Sequence, residues 1–263
     1  MKRSLHFDRA FKIISGGLFA IIIIASPVFP DGDALSYLQG KFNPAKQPGF
    51  TKLPSKISAR DHLYLRNEVI SAFEQMAAAA QEDGVSLYVL SATRNFAAQK
   101  HIWEAKFNGS RYVGGKDLTK SIPDHRKRAL EILKYSSMPG TSRHHWGTDF
   151  DISFNKKNSA GMLENETYEK GEGKRVYEWM RLNAGRFGFC QPYRDAPAQR
   201  NQGKYTLGYF EEKWHWSYAP TARTLLDAYI KHQKKLLPSG FDGAKAAGEL
   251  YMQYVDNIHS DCR

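Results

Sequence analysis

Two short segments, Ser142-Arg143-His144-His145-Trp146-Gly147-Thr148-Asp149-Phe150-Asp151 and Glu212-Lys213-Trp214-His215-Trp216-Ser217-Tyr218, concentrate histidine, carboxylate and aromatic side chains as no other part of the chain does. A fold that uses them must bring them together. Neutral imidazole and carboxylate suit Zn2+, and a catalytic zinc takes three protein ligands with a fourth position left for water. His144, Asp151 and His215 make such a set, enough for one ion.

Local geometry is compatible with that set. Gly147 breaks the chain, and beyond it Phe150, Ile152 and Phe154 alternate with Asp149, Asp151 and Ser153, the period of a half-buried strand with Asp151 on its polar face. His144 falls on the turn that feeds the strand. Glu212 and His215 are an odd number of positions apart, so an ideal strand would put them on opposite faces. A turn or bulge must intervene if both serve one site.

The pattern SxHxxGxxxD, met by Ser142, His144, Gly147 and Asp151, is followed by ExWHxxY, met by Glu212, Trp214, His215 and Tyr218. Upstream stands SxxRxxxxQ, met by Ser91, Arg94 and Gln99. In this order the three motifs resemble the zinc D-alanyl-D-alanine carboxypeptidases of the VanY-like peptidase family, over a stretch from about Leu35 to about Tyr229. One departure is Asp149, where the family often has a small residue, so two neighbouring acids are available as the carboxylate ligand.

The resemblance implies the Hedgehog/DD-peptidase fold with one Zn2+ on one face of its sheet, and peptidoglycan stem peptides as the substrate class. It gives Glu212 the part of general acid/base, Arg94 that of a donor to the oxyanion, and Ser142 and Gln99 contacts to polar groups of the substrate. Trp214 and Tyr218 are then aromatics of the pocket wall or of the core. The expected reaction is hydrolysis of the terminal D-Ala-D-Ala bond. L,D-carboxypeptidase, D,D-dipeptidase and wall endopeptidase activities share the motifs and differ in the loops around them. A non-enzymatic zinc module that binds the wall is the other alternative, against which the presence of Glu212 argues. Ser153-Phe154-Asn155-Lys156 matches the SxxK of serine DD-peptidases, but no SDN or KTG partner is present and the match is coincidental.

The rest of the chain reads as one domain of α+β class, a small antiparallel sheet flanked by helices. Short strand patterns at Val85 to Ser91, Thr148 to Phe154, Phe189 to Tyr193 and Tyr205 to Phe210 are interleaved with helical ones. The helices are expected over Asp61 to Ala80, from an N-cap at Asn95 through Phe107, from Pro123 through Leu133, from Val176 to Phe187 and from Thr221 to about Lys235. Leu35 to Pro54 reads as an extended wrapping segment, and residues 237–263 as a helical tail docked on a domain of residues 35–236. At 263 residues and 41% hydrophobic content the chain can bury a substantial core.

Residues 1–34 form a separate unit. A basic stretch to Lys12 precedes an almost wholly apolar run from Ile13 to Phe29, the form of an export signal that is also long enough for a marginal membrane anchor, so membrane association through residues 13–29 is one expectation. Either reading puts the remainder in the periplasm or on the outer side of the cytoplasmic membrane. The formal net charge is +11, of which residues 1–34 supply only +1, so the domain itself is strongly basic. Such a surface favours anionic polymers; no nucleic-acid motif is found, and the cell wall and lipid headgroups are the polyanions of that compartment. Cys190 and Cys262 are either one disulfide tying the tail to the core or buried thiols, with the thiol favoured because Cys190 follows the apolar Phe187-Gly188-Phe189.

Overall fold

The computed structural model describes residues 34–263. The expected export segment lies outside the described residues apart from Ala34. In chain order the elements are α1 (Ala34–Leu38), β1 (Phe50–Lys52), β2 (Tyr64–Arg66), α2 (Asn67–Glu82), β3 (Tyr88–Ser91), α3 (Phe96–Phe107), α4 (Leu118–Ser121) and α5 (His125–Leu133). They continue with β4 (Asp149–Ser153), α6 (Gly171–Asn183), β5 (Phe189–Cys190), β6 (His215–Tyr218), α7 (Ala219–Lys231), α8 (Ala244–Ala247) and α9 (Tyr251–Val255), with single 3-10 turns between them. The expected α+β class holds. β3, β4, β6 and β5 form a four-stranded antiparallel sheet in that order, and β1 and β2 pair in a small separate ribbon.

The sheet separates two chemistries because its side chains alternate. Val89, Phe150, Ile152, Phe189 and Trp216 point into a core built with α2 and α6, where Phe73 meets Phe150 edge-on at 5.1 Å. The opposite face carries Asp149, Asp151, His215 and Ser217. A second core, around Trp103, Trp146, Leu225 and Tyr229, joins α3, α5, α7 and the tail. Asp149 and Asp151 are therefore buried between two apolar masses, although they belong to the polar side of their strand.

Several boundaries depart from the sequence reading. Residues 61–66 do not begin a helix: Tyr64–Arg66 is paired with Phe50–Lys52, and α2 starts at Asn67. The segment expected to be extended thus contributes a short helix and a paired strand. Tyr205 to Phe210 is not a strand; its backbone is taken by side chains and by the tail, with Arg200 donating to the Tyr209 carbonyl and Asn257 to that of Leu207. Asn95 does cap α3, its side chain accepting from Ala98 N at 2.9 Å.

The favoured buried thiol is also corrected. Cys190 and Cys262 form a disulfide with Cα atoms 5.5 Å apart, and both residues are buried. Burial and bonding go together here, because Tyr251, Tyr254, Val255 and Ile258 seat the tail and bring Cys262 to the end of β5. Among the described residues no helix is long and apolar enough to cross a membrane.

Candidate metal centre and catalytic site

β4 and β6 set the site by register. Asp151 stands opposite His215, and Asp149 opposite Ser217, so all four side chains share one face. His144 comes from the 3-10 turn Arg143–Trp146, which ends at Gly147 in the left-handed region at φ 72°. A side chain there would be strained and would run into the Phe50 ring, since an added Cβ would lie 2.3 Å from it. Glycine therefore lets the chain turn sharply from His144 into the strand that carries Asp151.

His144, Asp151 and His215 converge, with one donor atom from each lying within 4.8 Å of the others. His144 Nε2 is 3.4 Å and His215 Nδ1 3.5 Å from Asp151 Oδ1. His144 donates its Nδ1–H to the Ala92 carbonyl at 2.8 Å, which leaves Nε2 as a lone-pair donor aimed at the cluster. That Nε2 is buried and has no hydrogen-bond partner. Two imidazoles and a carboxylate, one of them holding an orphaned buried nitrogen, fit a zinc ion.

The neighbouring histidine is excluded by its own bonds. His145 places Nδ1 2.6 Å from the Arg94 carbonyl and accepts from Gly140 N at Nε2, so both nitrogens are occupied. Burial pushes its pKa down to about 3, a neutral structural residue.

Asp149 is occupied by other partners. Its Oδ2 receives Arg143 Nε at 2.8 Å and faces His215 Nε2 at 3.0 Å, while Oδ1 accepts from Thr148 Oγ1 and Ser217 Oγ. The carboxylate is saturated and lies behind His215, where it orients the ring and leaves Nδ1 toward Asp151. Arg143 also donates to Ser217 Oγ at 2.7 Å and lies over the Trp146 ring. Nothing in the motif singled out Arg143 as Asp149's partner; the extra acid at 149 was the available signal.

The electrostatics suit a cation. Burial alone would raise the pKa of Asp151, but its neighbours His144, His215 and Arg94 outweigh it and hold the carboxyl well below its usual range. Burial and the charge of Arg94 lower His144, which keeps it neutral. His215 goes the other way. Burial would lower it, yet its bonds to Asp149 and Glu212 and the charges of Glu212 and Asp151 push it up to about 9.

Glu212 sits on the predicted turn. The His215 amide donates to the Glu212 carbonyl at 3.3 Å, closing the chain so that the Glu212 carboxylate lies 3.1 Å from His215 Nδ1 despite the odd spacing. Arg94 follows β3, and its amide donates to the His144 carbonyl at 3.2 Å. Its Nε is buried and unpartnered, as are Ser142 Oγ and Gln99 Oε1, while Gln99 Nε2 donates to the Ser137 carbonyl. His144, Asp151, His215 and Glu212 thus come together, with Arg94 within electrostatic reach of His144 and Asp151. Trp214 and Tyr218 belong instead to the core under the sheet, and the aromatic ring against His215 is Tyr193, with centroids 4.8 Å apart.

Residues 62–221 match the family of VanY D-alanyl-D-alanine carboxypeptidases. An uncharacterized protein of Haemophilus influenzae is 28% identical over 125 residues, 46% of this chain and 88% of that protein. Among solved structures, VanYB in complex with D-alanine-D-alanine is 23% identical with a TM-score of 0.47, covering 73% of this chain and 87% of that one. The LdcB LD-carboxypeptidase is 20% identical with a TM-score of 0.48, covering 78% and 79%.

Proposed function

Because the chain belongs to the VanY D-alanyl-D-alanine carboxypeptidase family, we propose that it is a zinc-dependent carboxypeptidase that removes the terminal D-Ala from peptidoglycan stem pentapeptides. The observation that carries this reading is the set of buried polar atoms without partners, His144 Nε2, Arg94 Nε, Gln99 Oε1 and Ser142 Oγ, beside a His-Asp-His cluster. Unpaired buried polar atoms are costly, and a site built to receive a metal and a polar peptide explains their retention.

His144 Nε2, Asp151 and His215 Nδ1 would hold the ion. When bound, a zinc there would supply an acidified water and polarise the scissile carbonyl. The protein's own groups do the rest. Glu212, within reach of the cluster and outside the ligand set, takes the water's proton and returns it to the leaving amine. Arg94 donates to the oxygen that gains negative charge. Gln99 and Ser142 meet polar groups of the peptide and fix its register.

Export belongs to the same proposal. The basic and apolar segments before residue 30 would carry the domain across the cytoplasmic membrane, where the stem peptides of the wall are found, and a disulfide is at home in an oxidising compartment. Fractionation of cells producing the full chain should place the protein in the periplasm or on the outer side of the cytoplasmic membrane; soluble cytoplasmic protein of full length would contradict this.

The test of the activity is to incubate the zinc-loaded protein with defined muropeptides and weigh the products. Loss of a single D-Ala from the pentapeptide is expected. Release of D-Ala from tetrapeptides alone would mark an L,D-carboxypeptidase, release of a D-Ala-D-Ala dipeptide a D,D-dipeptidase, and cutting of cross-links an endopeptidase. No turnover of any of them would favour a zinc-containing module that binds the wall.

A further inference from the structure

α3 carries a second buried polar residue besides Gln99. Gln99, Trp103 and Lys106 recur on one face of the helix and are all buried. Gln99 Nε2 donates to the Ser137 carbonyl at 2.7 Å, and Lys106 Nζ to the adjoining Ser136 Oγ at 2.5 Å. Two turns of one helix therefore reach into the same short segment between α5 and His144.

The chemistry of Lys106 is unusual for a structural residue. An ammonium has three protons to donate, and this one has a single neutral partner; among the described residues it makes no ion pair. Arg111 and Arg94 are the cations whose charge reaches it, and Glu212 is the acid that opposes them. Burial and the two guanidiniums push its pKa down to about 8. A buried cation without a counter-ion is unfavourable, and an apolar side chain of similar length would fill the same space without that cost. Arg94 likewise makes no ion pair among the described residues, and its Nε is buried without a partner. Lys106 thus lies within electrostatic reach of Arg94 and Glu212, and neither of the two cations has an ion-pair partner among the described residues.

A carboxypeptidase meets one anion in every substrate, the free carboxylate at the peptide's C-terminus. We propose that Lys106 recognises this carboxylate and so determines specificity for a free chain end, which leaves Arg94 to the oxygen of the scissile carbonyl. The inference rests on the carboxypeptidase reading above. Ser136 holds the ammonium in place when no peptide is bound, and the carboxylate supplies the charge-assisted partner that the protein lacks.

The experiment compares a pentapeptide bearing a free C-terminal acid with the same peptide amidated there, for the zinc-loaded wild type and for Lys106→Met. The wild type should favour the acid. In Lys106→Met, kcat/KM for the acid should fall on the order of a hundredfold while that for the amide stays nearly unchanged, because a truncated partner of a desolvated charge acts only on the ligand that bears the opposite charge. Equal losses on both peptides, or a retained preference for the acid, would overturn the role of Lys106 while leaving the carboxypeptidase reading intact. A wild type that cuts acid and amide equally would remove both. Should Lys106→Met fail to fold, or the wild type cut neither peptide, lysine acylation followed by mass spectrometry decides the matter on the wild-type protein loaded with catalytically inert cadmium. The acid peptide should protect Lys106 and the amide should not; equal protection or none would overturn the proposal.

Discussion

The imidazole of His215 lies between two acids of one strand, with Nε2 3.0 Å from Asp149 Oδ2 and Nδ1 3.5 Å from Asp151 Oδ1. One carboxylate orients the ring and the other lies on the side of Nδ1. This predicts different outcomes for similar substitutions. Asp149→Asn should weaken zinc binding by about ten- to a hundredfold, the usual cost of losing a group that supports a ligand, and should destabilise the fold by about 3–5 kcal/mol because Arg143 stays buried without its counter-charge. Asp151→Asn should abolish tight binding with a smaller effect on the melting temperature. Chelator competition and thermal unfolding of the apo proteins would check both, and equal affinities for the two variants would reverse the assignment.

Glu212 touches His215 Nδ1 in the structure without belonging to the converging set of three. If it shuttles the proton, Glu212→Gln keeps zinc at the wild-type stoichiometry and loses turnover by about a hundredfold or more. Metal analysis and kinetics on the same preparation separate the two roles. Loss of zinc would make Glu212 a ligand.

The site was legible because its geometry is local. A glycine turn followed by strict alternation places His144 and Asp151 on one side of β4, and antiparallel pairing puts His215 directly opposite Asp151. The turn at Glu212 could be inferred from parity alone. What could not be read was whatever depends on contacts between distant elements. Cys190 resembles any buried thiol until the tail is seen to bring Cys262 beside it. Tyr205 to Phe210 has strand-like composition, yet Arg200 and Asn257 occupy its carbonyls in place of a neighbouring strand. Trp214 and Tyr218 stand within the motif but face the other side of the sheet, because side-chain direction alternates whatever the motif contains.

The disulfide closes a long stretch of chain, its cysteines standing 72 positions apart. Cross-linking a loop of that length should stabilise the fold by about 4 kcal/mol through the unfolded chain. The double variant Cys190→Ala, Cys262→Ala should therefore melt roughly 10 °C lower for a domain of this size. It should still bind zinc at low temperature, since the turn Arg143–Trp146, β4 and β6 hold His144, Asp151 and His215 without the bond. Unchanged melting on reduction of the wild type would show that packing of Tyr251, Tyr254 and Val255 alone secures the tail.

The last prediction concerns the pH dependence of stability. Lys106 is buried, and its pKa falls from the ordinary 10.5 to about 8, by burial first and then by the charges of Arg111 and Arg94, with Glu212 opposing. The unfolded chain thus holds a proton between pH 8 and 10.5 that the folded protein has released, so this residue's contribution to stability must rise with pH over that window. Below pH 8 the full penalty of the buried charge is present, and above 10.5 it is gone; a shift of this size corresponds to a change on the order of 3 kcal/mol. Subtracting the curve of Lys106→Met cancels the contributions of all other groups. Denaturant unfolding of the apo proteins at pH 7 and pH 10 should show the wild type gaining on the variant as pH rises. A difference that stays flat would mean that the ammonium already has its counter-charge in the folded protein, which would then offer no unpaired cation to a peptide's terminal carboxylate.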